Sequence, residues 1–163
     1  MIHGFTPLAD SDARVLVLGS MPGKASLWAH QYYAHPRNAF WKLAAEIFGM
    51  KPDLDYDRRV QLLLRSRIAL WDVLRICTRE SSLDADIDDA SVVPNDIRLF
   101  LREHPLVMRI CFNGAKAAAL FDKHVDGPEL VNVQRIRLPS TSPANAAASY
   151  AKKLAAWRAA LLF

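Results

Sequence analysis

Short, dense apolar runs alternate along this chain with longer stretches in which apolar residues return every three or four positions. Four of the runs, Arg14–Leu18, Ile68–Trp71, Val107–Phe112 and Val133–Leu138, are rich in Val, Ile and Leu and read as strands. Helical spacing fills the intervals. Phe40–Phe48 carries apolar residues at 40, 43, 44, 47 and 48, and Arg58–Ser66 offers Val60, Leu63 and Leu64. Asn95–His104 starts after Pro94, and Ala115–Lys123 follows Gly114. The last helix is expected to be capped by Ser142, with Pro143 in its first position, and to run to the chain's end with Tyr150, Leu154, Trp157 and Leu161 on one face. Strands alternating with helices imply right-handed crossovers, hence an α/β fold: a three-layer α/β/α sandwich around a central four-stranded, mostly parallel sheet. With 163 residues and 52% apolar content, the chain can bury one core, and residues 1–163 are expected to form a single domain.

Unusual polar residues fall at one place in this order. The first strand leads into Gly19-Ser20-Met21-Pro22-Gly23, the second into Trp71-Asp72-Val73-Leu74, the third into Asn113-Gly114, and the fourth into Leu138-Pro139-Ser140-Thr141-Ser142-Pro143-Ala144-Asn145. All four are carboxyl ends of strands, where open α/β sheets bind ligands, so one cleft assembled from four loops is expected. The first loop continues through Trp28 and Tyr32 into Tyr33-Ala34-His35-Pro36-Arg37-Asn38-Ala39-Phe40-Trp41, a mixture suited to holding a flat ligand with a polar group against it. Asn38 can cap the following helix or orient water or substrate. Phe40 is either a stacking platform for a base or a core residue at helical spacing. His35 is either a general base or a loop histidine satisfied locally. Asp72 and Asn113 either meet the edge of a ligand or shape turns. Ser140, Thr141 and Ser142, ahead of a helix start, offer hydroxyls and backbone amides to an anion. The GSMPG turn has neither Walker nor dinucleotide-binding spacing, so neither ATP nor NAD is expected.

Charge narrows the choice of partner. The formal net charge is only +4, yet residues 13–45 and 135–163, which hold the motifs, contain no Asp or Glu. They carry Arg14, Lys24, Arg37 and Lys42 in one, and Arg135, Arg137, Lys152, Lys153 and Arg158 in the other, a distribution that fits a phosphate-backbone footprint. The acidic stretch from Asp84 to Asp89 is expected to face away from such a polyanion. Cys77 and Cys111 have no CxxC companions, so two reduced thiols and no metal are expected. No apolar run reaches the length of a membrane span, and the start of the chain, with Asp10 and Asp12, lacks the basic and apolar regions of a signal peptide. The expectation is a cytoplasmic, nucleoid-associated monomer without membrane contact.

These motifs together resemble the uracil-DNA glycosylase superfamily. GSMPG followed by AHPRNAFW is similar to the first motif region of the mismatch-specific enzymes, a GINPG turn followed by AHPxNRFW, and LPSTSPAN is similar to their second motif. The hypoxanthine-DNA (deoxyinosine) glycosylase branch is nearer still, through a Ser-Xaa-Pro first turn, the HPRN block, a strand ending in LWDVL and an SPxN second loop. Three positions depart from the wider pattern. Met21 stands where the mismatch-specific turn supplies a water-positioning Asn, Ser140 stands near the place of a histidine, and Ala144 matches the leucine that fills the vacated base stack.

The resemblance implies a metal- and cofactor-free, monofunctional glycosylase acting on double-stranded DNA that contains deaminated bases. It assigns Asn38 to the attacking water and Phe40 to stacking on the flipped base. Ser20 and Met21, through their amides, with Asp72 and Asn113, meet the base edge, and Pro22, Gly23, Tyr33 and His35 support the loop. Ser140, Thr141, Ser142 and Asn145, with Arg137 and Lys152, grip the phosphates. Hypoxanthine is the expected base, with uracil and xanthine as the other candidates. Two other classes stay open at this level: a non-catalytic nucleic-acid-binding module, and a small-molecule nucleoside hydrolase or transferase on the same fold.

Overall fold

The most apolar segment of the chain becomes the most buried: every residue from Val15 to Leu18 is wholly inaccessible to solvent. In the computed structural model, which describes residues 1–163, the elements run β1 (Ile2–His3), β2 (Val15–Gly19), α1 (Lys24–Ala29), α2 (Phe40–Phe48), α3 (Tyr56–Arg65), β3 (Ile68–Asp72), β4 (Leu74–Cys77), β5 (Val93–Pro94), α4 (Ile97–Glu103), β6 (Arg109–Asn113), α5 (Ala115–His124), β7 (Gln134–Leu138) and α6 (Tyr150–Leu161). The main sheet has the order β3-β2-β6-β7, and all its pairings are parallel. Because successive side chains of a strand point to opposite faces, β2 feeds two cores at once. Leu16 and Leu18 pack with Ile97, Phe100, Leu120 and Phe121 of α4 and α5. Val15 and Val17 pack with Phe40, Leu63 and Trp157 of α2, α3 and α6. The expected three-layer α/β/α sandwich is therefore present.

The four long strands fall within two residues of their expected positions. Three kinds of element differ, the first being α1, a six-residue helix within the stretch that reads from the sequence as a loop. A second sheet, β1-β4-β5, is antiparallel and was not expected, since strands of two to four residues leave no periodic signal. The helix expected from Ser142 begins only at Tyr150, with the Ser149 side chain accepting from the Lys152 N–H as its cap. Residues 143–149 include a helix-favouring Ala146-Ala147-Ala148 run, yet Asn145 donates to the Ser140 carbonyl (3.3 Å) and its own carbonyl accepts from Lys153 Nζ (2.9 Å), which holds the segment as a loop. Tertiary hydrogen bonds outweigh a propensity worth a few tenths of a kcal/mol per residue. No helix is long and apolar enough to cross a membrane.

Trp157 ties this architecture to the motif loops. Its indole is fully buried beside Phe40, with ring centroids 5.9 Å apart, and Nε1 donates to the Pro139 carbonyl at 2.9 Å. Trp157→Ala removes both the packing and the restraint on the loop after β7. It is expected to cost about 3–5 kcal/mol in urea unfolding, whereas Trp157→Phe keeps most of the packing and is expected to cost much less.

Candidate active site

The parallel register sets Asp72 beside Gly19 and Asn113 beside Leu138, so the ends of β3, β2, β6 and β7 stand abreast at one edge of the sheet. A cavity of about 870 Å³ opens over that edge, within the range of roughly 300–1,000 Å³ usual for ligand sites. Gly19 is required there. A Cβ on it would collide with Asp72 Oδ1 and lie 3.4 Å from the Tyr33 hydroxyl, so a bare backbone is what lets both groups reach the cavity floor.

The GSMPG turn is pinned from below and from the side. Arg79, buried, donates to the Pro22 carbonyl at 2.6 Å, and the Ser20 hydroxyl donates to Asp84 Oδ1 at 2.5 Å. Met21 is buried in the core shared by Leu18 and Leu74, with its Sδ beside Gly4. The N–H groups of Ser20 and Met21 have no acceptor within the chain. Pro22 and Gly23 complete the turn, and Lys24 N–H donates to Ser82 Oγ at 2.9 Å.

The HPRN block is shaped by backbone strain and local hydrogen bonds. Tyr33 lies in the left-handed region at φ 57°, and Ala34 N–H donates to Ser26 Oγ. His35 Nδ1 accepts from the Arg37 N–H at 3.1 Å, a loop-shaping contact. Asn38 Oδ1 accepts from the Phe40 N–H at 2.9 Å, an Asx turn that leads into α2, whose N-cap is Ala39 rather than Asn38, while its Nδ2 has no partner in the chain and the residue lines the cavity. The next amide, that of Ala39, donates to the Thr141 carbonyl at 3.0 Å, which holds the two motif loops together.

Phe40 differs from its expected place at the base. It is only 1% exposed, packs against Trp41 and Trp157, and does not line the cavity. Tyr33 lies over it, with ring centroids 4.3 Å apart at 31°, and faces the cavity in its stead. Helical spacing puts Phe40 in the core, and the strained turn at Tyr33 folds that ring back across it.

In the second loop, Asn113 and Thr141 bond to each other in both directions, Nδ2 to Oγ1 and Thr141 N–H to Oδ1, each at 2.9 Å. Thr141 is 1% exposed, so it holds the loop to β6 and does not reach a phosphate, and Asn113 is equally spent on that tie. Asn145, through Ser140 and Lys153, is a loop brace in the same way. Ser140 Oγ accepts from the Ser142 N–H, and Ser142 Oγ from the Ala144 N–H, which leaves both hydroxyl protons free. Arg137 is exposed on the cavity rim with Lys24, and Lys152 is exposed at the start of α6, outside the cavity lining.

The acidic stretch also departs from expectation. Ser82, Leu83, Asp84 and Ala85 form one wall of the cavity, and Asp84, half-buried and bonded to the Ser20 hydroxyl, adds its charge to the surroundings of Asp72. A single Asp in a run of four offered no signal of this, because the hairpin that returns it to the site is set by the small second sheet. Arg79 and Lys153 were likewise illegible as buried cations. No group of three His, Cys, Asp or Glu side chains stands close enough to hold a metal ion.

Asp72 carries the sharpest electrostatics. It is 4% exposed, its Oδ2 has no hydrogen-bond partner, and its backbone carbonyl accepts from Asn95 Nδ2. Burial first, and the Asp84 carboxylate second, push its carboxyl up to about 7 against a partial opposing pull from Arg79. The buried Tyr33 hydroxyl is also unpartnered, and burial, then Asp72, raises its proton affinity further.

A family model described as the uracil DNA glycosylase superfamily matches residues 6–162. The chain is 37% identical over 116 residues to a hypoxanthine DNA glycosylase of Methanosarcina barkeri, covering 71% of this chain and 72% of that protein. It is 35% identical over 144 residues to a hypoxanthine DNA glycosylase of Methanosarcina acetivorans, covering 88% and 87%. Among solved structures, the solution NMR structure of a candidate uracil DNA glycosylase from Methanosarcina acetivorans matches with a TM-score of 0.81 at 33% identity, covering 98% of this chain and 95% of that one.

The proton on Asp72 is held more tightly by the folded state than by the unfolded chain. Its stabilising contribution is therefore complete below the ordinary carboxylate range and lost as pH rises towards about 7. Asp72→Asn has no charge to bury. By calorimetry it is expected to raise the thermal midpoint at pH 8 by about 3 °C or more, with a smaller gain at pH 5.

Proposed function

The chain belongs to the uracil DNA glycosylase superfamily, and from that membership we propose that it is a monofunctional base-excision glycosylase that releases hypoxanthine from deoxyinosine in duplex DNA. The observation that carries the reading is the cavity itself: a pocket at the carboxyl edge of a parallel sheet, bounded by free backbone amides at Ser20 and Met21, an unpartnered Asp72 and an amide nitrogen at Asn38. The choice of hypoxanthine is supported by the names of the two relatives, both hypoxanthine DNA glycosylases.

The anomeric carbon lies inside the stack, so the nucleotide must be extruded, at a cost of a few kcal/mol that is smaller for a mispaired base. The extruded base enters over Tyr33. The Ser20 and Met21 amides and Asp72 meet its polar edge, where charge accumulates as the glycosidic bond lengthens, and a dry cavity strengthens those contacts. Asn38 holds water at the face of the sugar. Its place is fixed from both sides, since Oδ1 accepts from the Phe40 N–H and Ala39 is bonded to Thr141. Arg137, Lys24 and Lys152, with the Ser140 and Ser142 hydroxyls, meet the phosphates flanking the extruded nucleotide. The attacking group being water, the products are the free base and an intact strand with an abasic site, and a monomer suffices.

Single-turnover assays on duplexes with one deoxyinosine, deoxyuridine or deoxyxanthosine test this. Hypoxanthine release is expected to be fastest, and Asn38→Ala to slow it by about a hundredfold or more. Asn38→Ser, which keeps a side-chain oxygen for the Phe40 N–H, separates lost catalysis from lost stability. Duplex binding without release of any base would replace the proposal with a non-catalytic module. Arg137→Ala is expected to weaken binding to all sequences and to lower the slope of log K against log salt by about 1.

A further inference from the structure

The geometry points to Asp72 as the general acid of base release, handing its carboxyl proton to the departing purine as the glycosidic bond breaks. The assignment rests on the glycosylase reading above and deepens it by giving the site an acid suited to a purine.

Asp72 is the carboxyl lining the cavity that the fold leaves unemployed, since the other, Asp84, is bonded to Ser20. Its neighbours at the strand edge are paired, Asn113 with Thr141 and Ser20 with Asp84, while Asp72 Oδ2 is buried without a partner. A buried polar group in that condition costs stability and gives the fold nothing in return. Room for it is kept deliberately, because any side chain at Gly19 would strike its carboxyl.

The surroundings keep the proton on until a base arrives. Asp84 confronts it from the wall after β4, and the phenols of Tyr32 and Tyr33 approach from the loop after α1. The one opposing cation is Arg79, whose guanidinium is bonded to the Pro22 carbonyl rather than to Asp72. Ionising Asp72 there would set two carboxylates against each other in a water-poor floor, and burial with Asp84 accordingly holds its titration near 7.

The chemistry balances without a co-reactant. As the C1′–N9 bond breaks, its electron pair moves into the purine and spreads towards N7 and O6. The Asp72 proton is transferred to that acceptor edge, so the base leaves neutral. The sugar cation takes the oxygen of the water held by Asn38, and the water's proton passes to solvent. Asp72 recovers a proton from solvent before the next turnover. Uracil, with no N7, presents a poorer target for the same acid.

The test is single-turnover hypoxanthine release from deoxyinosine duplexes between pH 5 and 9, comparing wild type with Asp72→Asn and Asp84→Asn. Asparagine keeps the shape and a hydrogen-bond donor but has no acidic proton. Asp72→Asn is expected to be about a hundredfold or more slower at pH 6. It should also be flat where the wild-type rate falls up to tenfold per pH unit above about 7. Asp84→Asn, which removes the like charge, is expected to move that falling limb to lower pH. An Asp72→Asn enzyme within about threefold of wild type, or one that keeps the wild-type falling limb, overturns the assignment. A melting curve of each variant excludes unfolding as the cause. Failure of the wild type to release any base would instead overturn the glycosylase reading itself.

Discussion

Register between the parallel strands is the constraint from which the site follows. Because Gly19 pairs with Asp72, and Asn113 with Leu138, the carboxyl ends of four strands distant in sequence stand side by side. A slip of one residue would turn Val15 and Val17 to the wrong layer and bury a polar end against the helices, so two apolar cores enforce one alignment. The strand ends are thus held in one alignment from which the loops are suspended.

Those loops are then fixed to one another rather than only to the sheet. Ala39 reaches Thr141, Thr141 locks to Asn113, Trp157 holds Pro139, and Arg79 holds Pro22. Each bond contributes about 1 kcal/mol net, but each also restricts the positions open to Asn38 and to the GSMPG amides. Preorganisation of that kind suits a reaction whose barrier is lowered by fixed dipoles around a developing charge. Within this braced frame, the Asp72 carboxyl oxygen Oδ2 and the Tyr33 hydroxyl stay unpartnered, a cost in stability that the rest of the fold bears.

Much of the site was legible because its residue types are unusual for connectors. Ser20, Asn38, Asp72, Arg137 and Ser140 all border the cavity that the carboxyl ends of the strands implied. What misled was a residue serving two plausible roles. Phe40 has the spacing of a core residue and the chemistry of a stacking platform, and the structure assigns the cavity face to Tyr33 because a left-handed backbone at that position lays its ring across Phe40. Asn113 and Thr141 have the chemistry of ligand contacts, yet their hydrogen bonds close on each other.

Sequence alone determined the layers, the parallel direction of the main strands and the edge at which the site lies, because hydrophobic period and chain direction are local properties, while the order β3-β2-β6-β7 came only with the structure. Only the tertiary structure decided which polar groups are spent on the fold and which remain free, where the last helix begins, and that Asp84 returns to the cavity wall. Hydrogen-bond satisfaction and charge proximity depend on residues many positions apart, as with Ser20 and Asp84 at a separation of 64, and no local pattern encodes them.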